Sequence, residues 1–556
     1  DTATALTVRH PGQAAAFVLS NLTFGVVPTT GFYLRADDSN PSDGLTLTLN
    51  VVGASPVSGA PYIQEVNGAV VKWPPAPTWT GATSTDWFTT GNWSTNSVPT
   101  ASDSVVIAAA TFQPVLTGPA SVGAVNLSGG SLSLNGQTLT VAGNFITSGT
   151  GVLISATAGS QLVVGGDAGF GGGDETGQLS AGTLSVAGNF SQAAGTGGNN
   201  TFVATGTHRT IFNGTGPQTL TLATSSATES RFFDLAIQNT GGAVSIPSGI
   251  VAVSDSVLIP GAGTLNGAGS LSAGWVKTAV GSTLGIFQLT TSGTNLSVAG
   301  TYGVNQTILV GGPTVPALSY QNLVLTGLPA HSLTANVATT GFLTIQGQLT
   351  LAGHTANVGG NFQTATGGLL TMTNAADQLT ALGNVTFDGG SETGQLTAGL
   401  LEVGGDFSQL ATTSTTSFVA SGTHLTRLIN ANKQVSMASG TATFNDLEVN
   451  TAGTATVNGQ IQVARDLTVT AGGTLTGNTV VVGRNVSVVA GSFLTVSFLQ
   501  FSGTLSNAGL FSPGSVWFAN PAGGTIPASG SGITYGSVIV GPSGGGSAFS
   551  TGGPVS

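Results

Sequence analysis

The chain has no cysteine, ten lysines and arginines, 21 aspartates and glutamates, and five histidines in 556 residues. Without cysteine there are no disulfides and no thiolate zinc sites. Charged residues make up 6% of the chain, against roughly 25% in a typical soluble domain. Hydroxyls and amides must therefore wet the surface. That composition is common in extracellular bacterial repeat proteins and rare in cytosolic enzymes. The basic residues are scattered singly, so no patch for phosphates forms and nucleic acid is not an expected partner. No run of 18 apolar residues occurs, so no membrane-spanning helix is expected in this chain. The chain starts at Asp1 without Met or signal peptide, which reads as a processed or trimmed piece. No G-x-S-x-G, Walker loop or H-E-x-x-H is present. Charges this sparse do not readily converge on one face, so no catalytic residue is expected and the chain reads as a non-enzyme.

What is abundant is glycine, 86 residues, about twice the usual share. Apolar residues alternate with Thr and Ser in short runs such as "LTVAGNF" and "LVVGGD", broken by Gly, Asn and Asp. This is strand-and-turn punctuation, with almost no helical period. One phrase appears twice, as "ETGQLSAGTLSVAGNFSQ" from Glu175 to Gln192 and as "ETGQLTAGLLEVGGDFSQ" from Glu392 to Gln409. Most positions of the two copies are identical.

The phrase V-x-G-N/D sets the period. Asn144, Asp167 and Asn189 follow one another at nearly equal intervals, and Asn361, Asn384 and Asp406 repeat the same two intervals. Asn213 and Asn430 follow at a slightly longer step in each series. An interval of about 22 residues predicts one coil of a parallel β-solenoid, three short strands joined by three turns. The six residues should stack at one corner and hydrogen-bond up the axis. Gly and Asn would serve there by accepting a left-handed backbone. Leu184, Val186, Phe190, Leu401, Val403 and Phe407 should point inward, and Thr183 outward.

A second phrase, aromatic-x-D/N/S-L/V, begins at Phe232, Tyr320, Phe444 and Tyr535. It divides the solenoid into long units at 122–231 and 320–443, short units at 232–319 and 444–534, and the start of another unit at 535–556. A long-plus-short pair has been duplicated. Residues 1–78 alternate with period 2 and have ordinary loops, which predicts a small β-sandwich-like N-terminal domain. Residues 79–121 form a Trp-rich cap leading into the solenoid. The last coil reads as uncapped, so either further coils belong there in a longer protein or another copy of the chain docks end to end on its strand edges.

The stretches "THRTIFNGTGPQTL", "RFFDLAIQNTGGAVSI" and "LTVAGNF" resemble repeats of large bacterial surface proteins. These are adhesins and autotransporter passengers with filamentous-haemagglutinin-like β-helices. The resemblance covers roughly residues 100–545 and is one of repeat style. It implies a long right-handed parallel β-helix, an all-β fold at the cell surface or outside the cell. It implies no catalytic residue.

Candidate chemistry is thin. Asp37, Asp38, Asn40 and Asp43 cluster in "ADDSNPSDG", a weak calcium candidate set against a plain Asx-Pro turn. No other cofactor is expected. Trp79, Trp87 and Trp93 are either the cap over the first coil or a platform for stacking glycans. Asp103 reads as a turn residue. Asp174 and Glu175 read as a solvated turn, because Asp174 becomes Ser391 in the second copy while Glu175 becomes Glu392. His208 and His424, both in "GTH", read as surface or turn residues. Six kinds of glycosylation sequon match, but an Asn/Ser/Thr-rich chain produces them by composition. The function expected is a structural one, a stalk, adhesin or matrix filament whose partners are copies of itself, other surface proteins or glycans. The alternative is a carbohydrate-binding or polysaccharide-active β-helix.

Overall fold

In a computed structural model of the chain, residues 76–541 (other than Ala471 and Ser531) and 549–554 are described in full, with the backbone of five N-terminal strands. Three of those strands form an antiparallel sheet, with Thr2–Arg9 between Ala16–Thr23 and Thr46–Asn50. Ile63–Val66 and Ala69–Lys72 make an antiparallel hairpin. The inward faces on which a β-sandwich would depend lie outside the described residues. The rest is an all-β parallel solenoid of about 22 turns. The chain divides into two compact units, 1–209 and 210–556.

In the first unit the coils begin at Thr78. One face is built from Thr78–Trp79, Ser104–Ile107, Ala124–Leu127, Phe145–Thr147, Ala168–Phe170 and Phe190–Gln192, each paired in parallel with the next. A second face stacks Ala120–Val122, Thr138–Val141, Gln161–Val164 and Thr183–Val186. A third face holds Ser131–Ser133 and Val152–Ile154 and continues upward only as the single bridges Ser155 to Leu179 and Leu179 to Ala204.

Alternation along each strand decides what is buried. Thr138–Val141, Gln161–Val164 and Thr183–Val186 each bury their second and fourth residues. Parallel in-register pairing then lines up Leu139, Leu162 and Leu184, and Val141, Val164 and Val186, in two columns. Aromatic rings occupy the neighbouring column: Phe145, Phe170 and Phe190 lie 5.8 and 5.6 Å apart, and Phe202 packs 4.7 Å from Phe170. A fully buried Leu or Phe contributes about 1.5–3 kcal/mol, and every coil repeats the contribution.

The second unit uses the same scheme. Phe362, Phe387 and Phe407 form the ring column at 5.6 and 6.0 Å, joined by Phe418 and Phe444. Its third face runs through Thr314–Val315, His331–Leu333, Gln348–Thr350 and Leu369–Thr371, and stops there as a sheet. Coil length varies. Bonds from one coil to the next at Asn361, Asn384 and Asp406 span 23 and 22 positions of the chain. The corresponding bonds from Asp446 through Asp466 and Asn485 to Thr504 span only 20, 19 and 19. The short coils save chain by merging two faces into one bent strand, as in Thr454–Val463 and Thr474–Val482, with a register shift between Val457 and Gln460. The period expected from the Asn/Asp series is therefore local, and shorter coils replace it where a corner is smoothed into a bend.

Leu184 and Val403 are 1% and 0% exposed, while Thr183 is half-buried on the outer side of its strand. Leu184→Asp or Val403→Asp places an unpaired carboxylate between coils and should cost several kcal/mol. Thr183→Asp should cost well under half as much. Denaturant unfolding of the three variants checks this.

Candidate functional site

Two arrangements repeat between the units: a ladder of polar side chains at one corner, and a buried glutamate in the turn of the duplicated phrase. At the corner the chain leaves strand geometry, and its N–H groups lose their regular carbonyl partners. Side-chain oxygens replace them. Asn144 Oδ1 accepts from Asp167 N at 2.8 Å, and Asp167 Oδ1 accepts from Asn189 N at 2.7 Å. In the second unit Asn361 Oδ1 accepts from Asn384 N, and Asn384 Oδ1 from Asp406 N, both at 2.9 Å.

The glycine before each ladder residue has a reason other than the one expected. None of Gly166, Gly188, Gly383 and Gly405 has a positive φ, and neither has any of the six ladder residues. The left-handed corner is thus overturned. The constraint is space. A Cβ on Gly166 would stand 2.3 Å from Asn144 Oδ1, and one on Gly383 or Gly405 would stand 2.4 Å from Asn361 or Asn384 Oδ1. The amide below occupies the volume a side chain would need.

Asn430 does not continue the ladder. The corner widens there, with Asn430 and Asn432 at φ 66° and 51°, and Gln434 N donates the next bond to Asp406 Oδ1 at 2.7 Å. A further ladder, missed in the sequence, runs through the short coils. Asp446 Oδ1 accepts from Asp466 N, Asp466 Oδ1 from Asn485 N, and Asn485 Oδ1 from Thr504 N, at 3.1, 3.1 and 3.0 Å. Its signal is the aromatic phrase itself: Phe444 is buried and Asp446, two residues on, is the first rung.

The solvated-turn reading of Glu175 fails. Glu175 and Glu392 are both 0% exposed, although Asp174 is exposed. Each sits in a turn closed by its own carbonyl, which accepts from Gln178 N or Gln395 N at 3.0 and 2.9 Å. Gly177 and Gly394 supply the left-handed third position at φ 77° and 78°, as a type II turn requires. Each turn lies above the last sheet strand of the third face. Glu175 Oε1 accepts from Leu153 N at 2.9 Å, and Glu392 Oε1 from Leu370 N at 2.8 Å. The carboxyl thus stands where the next strand's carbonyl would have been. Burial pushes both carboxyls well above the usual carboxylate range, with Asp174 adding repulsion at Glu175.

His208 and His424 are also interior, 1% and 0% exposed, not surface residues. Burial lowers His424 to about 4. Lys433 is 1% exposed and donates to Val403 O and Gly404 O at 3.4 and 3.2 Å. Burial lowers its ammonium to about 8, against the attraction of Asp406. On the outer surface Glu402, Arg427 and Glu448 are in register, with Arg427 3.2 Å from Glu402 and 3.0 Å from Glu448.

Trp79, Trp87 and Trp93 are 2%, 0% and 1% exposed. Trp93 meets Trp79 and Trp87 edge-on, with centroids 5.1 and 4.7 Å apart. Trp79 Nε1 donates to Phe112 O and Trp93 Nε1 to Trp87 O. Stacking a sugar needs an exposed ring face, and these rings face each other, so they form no glycan platform. Asp103 Oδ2 takes the N–H and hydroxyl of Thr100, both at 2.7 Å, closing a turn. Asp37, Asp38, Asn40 and Asp43 lie outside the described residues. Among the described residues no three His, Asp or Glu side chains converge as a metal-ligand set, and no helix is long and apolar enough to cross a membrane.

Residues 78–167, from the first coil to the second rung of the ladder, match a family described as a domain of unknown function (DUF8693). No curated protein and no solved structure matches the chain.

Two outcomes are expected. Gly383→Ala or Gly405→Ala should cost about 1–3 kcal/mol through overpacking, whereas Gly440→Ala, with nothing within 4 Å of its added Cβ, should be near neutral; denaturant midpoints decide. His424, lowered to about 4 from 6.5, contributes nothing well above pH 6.5, where it is neutral folded and unfolded. Below that only the unfolded chain takes the proton, so stability should fall by about 1.4 kcal/mol per pH unit down to about 4. In His424→Gln that component of the acid slope should vanish from thermal melts.

Proposed function

We propose that the chain is an extracellular or cell-surface structural protein, a rigid β-solenoid serving as stalk, adhesin or filament subunit. The observation that carries this is the vertical register. Strand pairs, ring columns and corner oxygens each join one coil to the next, so the axis is bonded along its faces and along a corner. Such a stack resists bending and stretching, and projects a surface of Ser, Thr and Asn with few charges. Adhesin-like repeat style, low charge and absence of cysteine agree with life outside the cell. Pulling the full chain by its ends in a force spectrometer tests the mechanical role. Stepwise release of roughly one coil, about 70–80 Å of chain, at forces well above those for a helical control is expected. Release of the whole solenoid at low force would overturn it.

The second reading, carbohydrate binding, has to move away from the buried indoles. Trp275 is half-buried on an outward position, with Lys277 Nζ 5.9 Å from its ring centroid. A glycan-array signal lost in Trp275→Ala and kept in Trp93→Phe would favour that reading.

A further inference from the structure

The duplicated turn offers more than a stop to the third face. Glu175 and Glu392 occupy equivalent places and are held by equivalent bonds. Below, Oε1 accepts from the edge strand, at Leu153 N or Leu370 N. Above, the glutamate's own N–H donates to Asn200 O or Thr416 O, both at 2.9 Å. One residue therefore clasps three successive coils. The turn adds a second tie downward, because Gln178 O and Gln395 O accept from Ser155 N and Met372 N at 2.9 and 2.8 Å.

The other carboxyl oxygen, Oε2, is buried and has no partner at either site. A carboxylate there would hold a full charge in the core on one hydrogen bond. A neutral acid leaves only an unmatched hydroxyl, which is far cheaper. The surroundings give no countercharge. The edge strands Val152–Ile154 and Leu369–Thr371 carry no charged side chain, and neither do 199–201 or 412–417. On the turns themselves only Asp174, exposed beside Glu175, is charged; near Glu392, Asp388 binds Thr412. Asp377, by contrast, has donors on both oxygens, from Gly353 N at 2.6 Å and Asn374 N at 2.9 Å.

We infer that Glu175 and Glu392 are proton-operated latches: each clasps its three coils as a neutral carboxylic acid, and loss of the proton to solvent releases the turn from the strand below. The upward shift of both carboxyls through burial agrees with this geometry. Above the ordinary value of 4.5 the unfolded chain gives up these protons while the folded chain keeps them. The folded state is thus fully favoured in acid, and loses ground as pH rises until the buried acids ionise. The solenoid carries two copies of a device that tightens in acidic surroundings and loosens in alkaline ones.

The window for the test is set by the other buried groups. Near pH 7 to 8 His424, at about 4, is neutral in the folded chain and mostly neutral in the unfolded one, while Lys433, at about 8, begins to lose its proton in the folded chain only, a component that the glutamate variants share with the wild type. His331 is also shifted downward by burial and stays neutral there. Denaturant unfolding of the full chain across that window should show the unfolding constant rising by up to tenfold per pH unit for each glutamate. Relative to the wild type, the slope should lose half of the glutamate component in Glu175→Gln or Glu392→Gln and all of it in the double variant. At neutral pH the infrared spectrum of the wild-type chain should contain the carbonyl band of a buried protonated carboxyl group, absent from the double variant. A wild type without that band at neutral pH, or with a pH slope equal to that of the double variant, overturns the proposal. The infrared measurement on the wild type decides even where a variant fails to fold.

Discussion

Outside its tight turns, a coil of the solenoid cannot pair its backbone N–H and C=O groups with itself, so they must find partners in the coil above or below. Strands meet this demand by parallel pairing, and the faces follow from it. The demand is hardest where the chain stops being a strand, since a turning backbone points its groups away from the axis. There side-chain oxygens stand in for carbonyls. Asn and Asp do so at the corner, and Glu175 and Glu392 do so above the third face. Ser160 Oγ and Asp377 Oδ1 do the same at equivalent turns, accepting from Gly136 N and Gly353 N. The low charge of the chain is consistent with this arrangement: many polar side chains are occupied with the backbone.

The stand-in oxygens also set their own sequence limits. Above Asn144, Asn361 and Asn384 the side-chain oxygen fills the space overhead, and the residue there, Gly166, Gly383 or Gly405, lacks a side chain, whereas Arg465 and Arg484 stand above the Asp oxygens of the short coils. Gly-Asn in one coil and Gly-Asn in the next are thus two halves of one contact. The buried glutamates impose a different limit, since an acid held on one hydrogen bond in an apolar interior is bound to its proton. Lys433 illustrates the opposite solution: its ammonium reaches two carbonyl oxygens, and Asp406 lies within electrostatic reach.

The parallel solenoid, the inward columns and the six corner residues were legible because they repeat at fixed intervals. Leu184, Val186 and Phe190 are interior for the same reason, as alternation within a strand dictates their direction. What was not legible lies where neither rule applies. Glu175 stands in a turn among Thr, Gly and Gln, where period 2 says nothing about which way a side chain points. The Glu402, Arg427 and Glu448 row escapes a search at the corner's period, because its bonds span 25 and 21 positions of the chain. The Trp cluster reads first as a cap, but the sequence leaves an exposed platform open until the fold turns its rings inward. Even the correct corner came with the wrong cause, since Gly and Asn can mean a left-handed backbone or a crowded one.

The bond from Gln434 back to Asp406 spans 28 positions of the chain, whereas the same kind of bond one coil earlier, from Asp406 to Asn384, spans 22. The surplus is absorbed partly on the third face, between Gln409 and Leu425, and partly in the widened corner at Asn430 and Asn432. A bond that tolerates such a difference works as a milestone, not as a ruler. It records that a turn of the solenoid has been completed without fixing how much chain was used. Evolution can therefore lengthen one circuit and decorate it without disturbing the circuits on either side.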